Sequence, residues 1–181
     1  TSLPERIGGH KNYDYRYAWI RDAGYTIQAF LAAGLEAESK AAFTWLLRQL
    51  RRHGSRVVFT LDGALVPDVS ELRAPGYRGS QPVVRGNLAG AQHQHGIYGD
   101  IFETAYCFVD CGNILDPASA ELLSHIADEC ADRWRLPDSG MWELQELQDY
   151  TMSKVSCWQE LARAVELADP VSYTHLRAHE T

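Results

Sequence analysis

The sequence predicts an all-α fold built as part of an α/α toroid, and three observations predict it. Five segments carry apolar residues at helical spacing. The helices fall into pairs joined by connections of alternating length. The long connections are polar and rich in aromatic residues, so candidate chemistry gathers at one end of the helices.

The elements follow in order. Residues 22–33, "DAGYTIQAFLAA", place Tyr25, Ile27, Phe30 and Leu31 so that few polar positions remain, which predicts a helix buried on most sides. Gly34 is its stop. Residues 36–52 are the second helix, with Ala37, Ala41, Trp45, Leu46 and Leu50 at threes and fours and with arginines toward the C-terminal end, before Gly54. Residues 55–90 hold many glycines and prolines and predict a long ordered loop, in which "RVVFTLDG" is a short strand running into a turn. The third helix covers residues 97–111, with Ile101, Ala105 and Phe108 on one side. Asp116-Pro117 is an N-cap followed by a first-turn proline. The fourth helix runs from there to about Trp134, through Leu122, Ile126, Ala127 and Cys130. "LPDSGMWELQE" is a loop, and residues 153–168 form a fifth helix with Val155, Trp158, Leu161 and Val165 on one face.

The 181 residues are 45% hydrophobic and 23% charged, a globular composition. The net charge of −7 and a pI near 5.4, with no Lys/Arg cluster, argue against nucleic acid as a partner. No run of about 18 apolar residues predicts a membrane span. The chain does not start with methionine and shows no apolar signal core, so its start is read as internal. Cys107, Cys111, Cys130 and Cys157 form no C-x-x-C pair; they are expected as buried free thiols, which favours a reducing, cytoplasmic setting. The last eleven residues, "VSYTHLRAHET", resemble the translation of a transposase-type sequencing adapter. Residues 171–181 are therefore expected to be a non-native tail, and the His175/His179 pair in it is discounted as a metal site. Residues 1–170 are the part read as protein.

Four motifs carry the chemistry: "NYDYRYAWIRDAGYT", "GYRGSQPVVRGN", "AQHQHGIYGDIFE" and "DSGMWE…TMSKVSCW", in this order. A site that cleaves sugars needs flat apolar surfaces for a pyranose ring and charged planar groups for its hydroxyls. Tyr15, Tyr17 and Trp19 supply rings; Arg21 and Asp22 supply a donor fork and a carboxylate. Together the motifs resemble glycoside hydrolase family 15, the glucoamylase and bacterial trehalase family, from about residue 3 to residue 168.

The resemblance implies the following. The fold is an (α/α)6 toroid, of which this chain is the N-terminal part of the catalytic domain, about half of the full barrel. Arg21 and Asp22 bind the outer hydroxyls of a terminal glucose, and Tyr15, Trp19 and Trp142 line the same pocket. Glu143 is the general acid. Its neighbours Met141 and Trp142 suit a carboxyl that keeps its proton until the glycosidic bond breaks. Tyr17, Arg85, Asn87, Gln92, Gln94, Glu146 and Lys154 are weaker candidates for substrate contact, Arg85 and Asn87 more as shapers of their loop. The sequence departs from the family pattern at Gly96, where an aspartate is usual, and between Glu143 and Lys154. His93 and His95 have no evident third ligand and are expected to pack or face solvent, and no metal or organic cofactor is implied. The family is inverting and needs a second carboxylate as base. Nothing after Glu143 fits that role, so the chain alone is expected to be inactive. The first reading is hydrolysis of α-glucosidic bonds in the manner of glucoamylase. A trehalase of the same family is the alternative, and a non-catalytic sugar-binding regulatory toroid is the alternative of another class. The partner is an oligosaccharide or disaccharide; oligomeric state is left open.

Overall fold

A computed structural model describes residues 2–168. The tail at 171–181 and its two histidines lie outside the described residues. Five α-helices dominate the described chain: α1 (Ile20–Ala32), α2 (Glu36–His53), α3 (Gly96–Asp110), α4 (Pro117–Arg133) and α5 (Thr151–Ala168). Four two-residue strands form two antiparallel ribbons. The strand β1 (Ala18–Trp19) pairs with β2 (Val58–Phe59), and β3 (Ser70–Glu71) pairs with β4 (Val84–Arg85).

Local chemistry places the helix ends. Gly34 has φ 71, and its N–H bonds to Leu31 O while Leu35 N–H bonds to Phe30 O at 2.9 Å. This is the paired C-terminal bonding that a left-handed glycine permits. Asp116 caps α4 by accepting from Ser119 N at 2.8 Å, with Pro117 in the first turn. The helix boundaries agree with the sequence expectations to within two residues.

The packing order identifies the architecture. The odd-numbered helices α1, α3 and α5 lie side by side, and α2 and α4 pack across them. Successive helices of this kind run in alternate directions. The segments preceding α1, α3 and α5 therefore share one end, and these are the long ones. The fold is all-α and matches part of an (α/α)6 toroid. α3 and α5 approach closely because position 99 has no side chain: a Cβ there would sit 3.0 Å from Ser156 O and 3.1 Å from Ser156 Cβ. The core lies between the two layers, where Phe43 of α2 meets Phe108 of α3 with ring centroids 4.6 Å apart.

Several faces differ from expectation. Tyr25 is exposed, so α1 is not buried on most sides; the contacts that matter are Ile20, Gly24 and Ile27. In α2, Ala37 and Ala41 face solvent while Phe43 and Leu47 join Leu46 and Leu50 inside. Most of the apolar stripe of α5 is turned outward: Val155, Trp158 and Val165 are exposed, Trp158 by 71%, while Leu161 is half-buried against the core. The face that packs on its neighbours is small and polar, with Ser153, Ser156, Cys157 and Glu160 buried. The reason at the closest point is the α3–α5 approach at Gly99, which leaves room for only a small side chain at Ser156. The four cysteines are free, but Cys111, at the end of α3 where the chain turns at Gly112, is exposed and Cys107 is half-buried. No helix among the described residues is long and apolar enough to cross a membrane.

Glu160 is fully buried, and neither of its oxygens has a hydrogen-bonding partner among the described residues. Burial pushes its carboxyl up to about 7, against a smaller opposing effect of the Cys130 thiol. The fold therefore holds a proton that the unfolded chain releases above about 4.3. Stability is highest below that value and is lost as pH rises toward 7. Urea midpoints measured at pH 5 and pH 8 are expected to fall across that interval, and Glu160→Gln is expected to flatten the fall. In the same assay Gly99→Ala is expected to cost about 1–3 kcal/mol, because the Ser156 backbone cannot move aside cheaply.

Candidate functional site

The aromatic stretch before α1 is organised by a residue that carried no signal in the sequence. Asp14 is fully buried and accepts from Arg16 Nε at 2.7 Å and Arg16 Nη2 at 2.8 Å. It also accepts from Tyr17 Oη at 2.9 Å and from Gly86 N at 3.1 Å. The Arg16 guanidinium is the main influence, and it holds the Asp14 carboxyl well below the usual carboxylate range. Asn87 Nδ2 donates to Asp14 O at 3.0 Å, and Asn87 Oδ1 accepts from Ala89 N at 2.9 Å. The "VVRGN" loop is thereby fastened beneath the rings of residues 15–19. Asn87 is buried by these bonds and shapes the loop; Arg85 is exposed on β4.

From this base the chain enters β1 and then α1. Ile20 N bonds to Val57 O at 3.0 Å, which fixes the start of the helix. Arg21 and Asp22 fall in its first turn, where a carboxylate is favoured by the helix dipole. The rings step along the strand: Tyr15 and Trp19 centroids are 6.0 Å apart, and Tyr17 and Trp19 6.4 Å.

Glu143 reaches the same place from the loop before α5. It has φ 57, a left-handed conformation uncommon for a residue with a side chain. Glu143 N bonds to Gly140 O at 3.2 Å and Leu144 N to Ser139 O at 3.0 Å. This tight turn throws the carboxyl back over α1. Trp19 Nε1 donates to Glu143 Oε1 at 2.6 Å across 124 residues of sequence.

Around this contact lies a cleft of about 780 Å³. Tyr15, Tyr17, Trp19, Arg21, Asp22, Trp142 and Glu143 all line it, joined by Met141. The volume lies in the range of small-molecule sites. Trp142 lines the cleft but is 77% exposed, so it forms an open rim. The cleft also takes in Leu61 of the long loop, and Thr26, Ile27, Ala42 and Trp45, which the sequence reading did not place there. Thr26 could have been found from its position one turn after Asp22. Trp45 was assigned to a helix stripe, and nothing local to it points at the cleft.

Gln92, Gln94, Glu146 and Lys154 are not among the residues that line the cleft. Gln94 is fully buried, and Gln92 donates to Glu143 O at 3.0 Å. Lys154 Nζ donates to Trp134 O and Leu136 O at 2.6 and 2.9 Å and pairs with Asp149, which ties α5 to the end of α4. Glu146 is exposed, its carbonyl accepting from Tyr150 Oη. His95 is fully buried and stacks on Tyr98, with His93 edge-on at 4.6 Å. Burial lowers both imidazoles, His93 to about 4, so both are neutral at pH 7. Among the described residues no group of three or more His, Cys, Asp or Glu side chains could hold a metal ion. Asp100 of α3 faces the charged turn of α1. Burial pushes its carboxyl up to about 6, Arg21 opposing and Asp22 adding to the shift.

Removing the Asp14 carboxylate leaves the Gly86 N–H and Tyr17 hydroxyl with fewer acceptors in a dry site. Asp14→Ala is expected to lower stability by about 2 kcal/mol at pH 7, read by urea unfolding. Because the Asp14 pKa is depressed in the fold, that contribution is present above about 3.9 and is lost as pH falls further. The difference between the two proteins is expected to shrink below pH 3.

Comparison with known proteins places these features in context. The chain is 34% identical over 176 residues to a trehalase of Mycolicibacterium smegmatis and 35% identical over 176 residues to one of Mycobacterium tuberculosis. Each match covers 93% of this chain and 26% of the relative. A trehalase of Thermoplasma acidophilum is 33% identical over 176 residues, covering 96% of this chain and 30% of that protein. The chain thus spans about a quarter to a third of the length of the curated relatives it matches. No solved structure matches it significantly. The family model of the glycosyl hydrolases family 15 matches residues 1–178, and the chain belongs to that family.

Proposed function

We propose that the protein carrying this chain is a trehalase, which hydrolyses the α,α-1,1 bond of trehalose to two molecules of glucose. The observation that carries the reading is the Trp19–Glu143 hydrogen bond at the wall of an aromatic cleft that also holds Arg21 and Asp22. The names of the relatives support trehalose over starch, so the glucoamylase-like reading of the sequence takes second place.

In this reading one glucose ring lies against Tyr15 and Trp19, with Arg21 and Asp22 holding its outer hydroxyls. Glu143, protonated, gives its proton to the glycosidic oxygen as the bond from that oxygen to the anomeric carbon breaks. A water attacks the anomeric carbon from the opposite face and passes its proton to a second carboxylate, so the configuration inverts. No described residue is assigned as that base. Activity therefore belongs to the longer protein, and residues 1–181 by themselves are expected to be inactive. The free thiols fit a reducing, cytoplasmic setting.

Glucose release from trehalose, maltose and soluble starch by the full-length protein tests the assignment. Trehalose is expected to be the preferred substrate by at least about tenfold in kcat/KM. Glu143→Gln is expected to lower kcat on trehalose by about 10²–10⁴ with an unchanged melting temperature. Turnover of starch without trehalose would return the reading to glucoamylase. Full activity of the Glu143 variant would remove the acid.

A further inference from the structure

Glu143 is held at two points, and only one of them is its carboxyl. Its left-handed backbone is unfavourable for a residue with a side chain, so the 139–144 turn needs outside support to keep one geometry. The two backbone bonds within the turn, Glu143 N to Gly140 O and Leu144 N to Ser139 O, leave the Glu143 carbonyl to be satisfied from elsewhere. Gln92 Nε2 takes it at 3.0 Å and lies 3.5 Å from Leu144 O.

An amide side chain can rotate by half a turn and present oxygen in place of nitrogen. The Glu143 and Leu144 carbonyls disfavour this, because they accept only from the nitrogen, and Gln94 matches the same direction. Its Nε2 donates to Gln92 Oε1 at 3.0 Å, a bond that exists only while the Gln92 nitrogen points at Glu143. Gln94 is fully buried, and its segment is fastened to the acid loop on both sides. His95 N donates to the buried Asp138 Oδ2 at 2.8 Å, and Ser139 N donates to His93 O at 3.0 Å. Ser153 Oγ donates to the same Asp138 oxygen at 2.8 Å and ties in α5.

We propose that Gln92 is a positioning residue for Glu143, with Gln94 supporting its amide. The loop before α3 thus serves the reaction through the backbone of the acid, without touching the sugar. The inference rests on the reading of Glu143 as general acid. A carboxyl displaced by a fraction of an ångström cannot meet the glycosidic oxygen as the bond breaks, while Arg21 and Asp22 on α1 stay in place to hold the sugar hydroxyls.

The experiment uses two leaving groups in the full-length protein. Trehalose needs a proton to release its aglycone; α-glucosyl fluoride releases fluoride without one. Gln92→Met keeps the side-chain length and removes the amide. It is expected to lower kcat on trehalose about 10–100-fold with KM changed less than about threefold, and to lower kcat on the fluoride less than about threefold. Gln94→Met is expected to show the same pattern at smaller size. A melting curve checks folding, and Gln92→Glu replaces Gln92→Met if the latter does not fold. Equal losses on both substrates, or unchanged turnover of trehalose, would overturn the proposal. Glu143→Gln is the control. If it spares the fluoride and Gln92→Met does not, only the positioning role fails. If it loses both substrates equally, the acid assignment fails and takes this inference with it.

Discussion

The site depends on one hydrogen bond, between the Trp19 indole and the Glu143 carboxyl group. It joins the entry to α1 with the exit of the loop before α5. Two segments so far apart in sequence can meet only if α1, α3 and α5 lie side by side with their N-termini at one end. The helix layer is thus a device for bringing three loops together. The even-numbered helices return the chain by short connections and contribute to the cleft only from behind, as Ala42 and Trp45 do.

Apolar packing builds the layers, but polar braces place the site. Asp14 gathers Arg16, Tyr17 and Gly86 under the aromatic strand, and Asp138 gathers His95 and Ser153 under the 139–144 turn. Both carboxylates are fully buried. A buried carboxyl group is costly unless it is hydrogen-bonded, so Asp14, through both oxygens, and Asp138, through Oδ2, orient the donors around them. That directional demand is what an apolar contact lacks. It suits loops whose backbone must hold a conformation as particular as that of Glu143.

The same logic explains the unusual inner face of α5. A helix packed as closely as α5 is on Gly99 must present small side chains at the contact, and its large apolar residues are left for the other face. A cost remains at Glu160, a buried acid held in its protonated form.

The sequence by itself determined the helices, their ends and the membership of the cleft's charged and aromatic wall. Helical period, a glycine stop, an Asp-Pro cap and the clustering of rings with Arg21 and Asp22 are local properties, readable from neighbours within a few positions. It did not determine which face of α5 is inside, because periodicity finds an apolar stripe without saying what covers it. Nor did it reveal the burial of Asp14, the place of Trp45 at the cleft or the contact of Gln92 with the Glu143 carbonyl. An aspartate among tyrosines looks like any surface acid until a loop some seventy residues away supplies the donors that justify burying it. Gln92 donates to the backbone of Glu143 and Gln94 donates to Gln92, contacts that nothing near them in the sequence announces. Only the tertiary structure decided these points, since each is set by a partner distant in the chain and by hydrogen-bond directions that residue type alone does not encode.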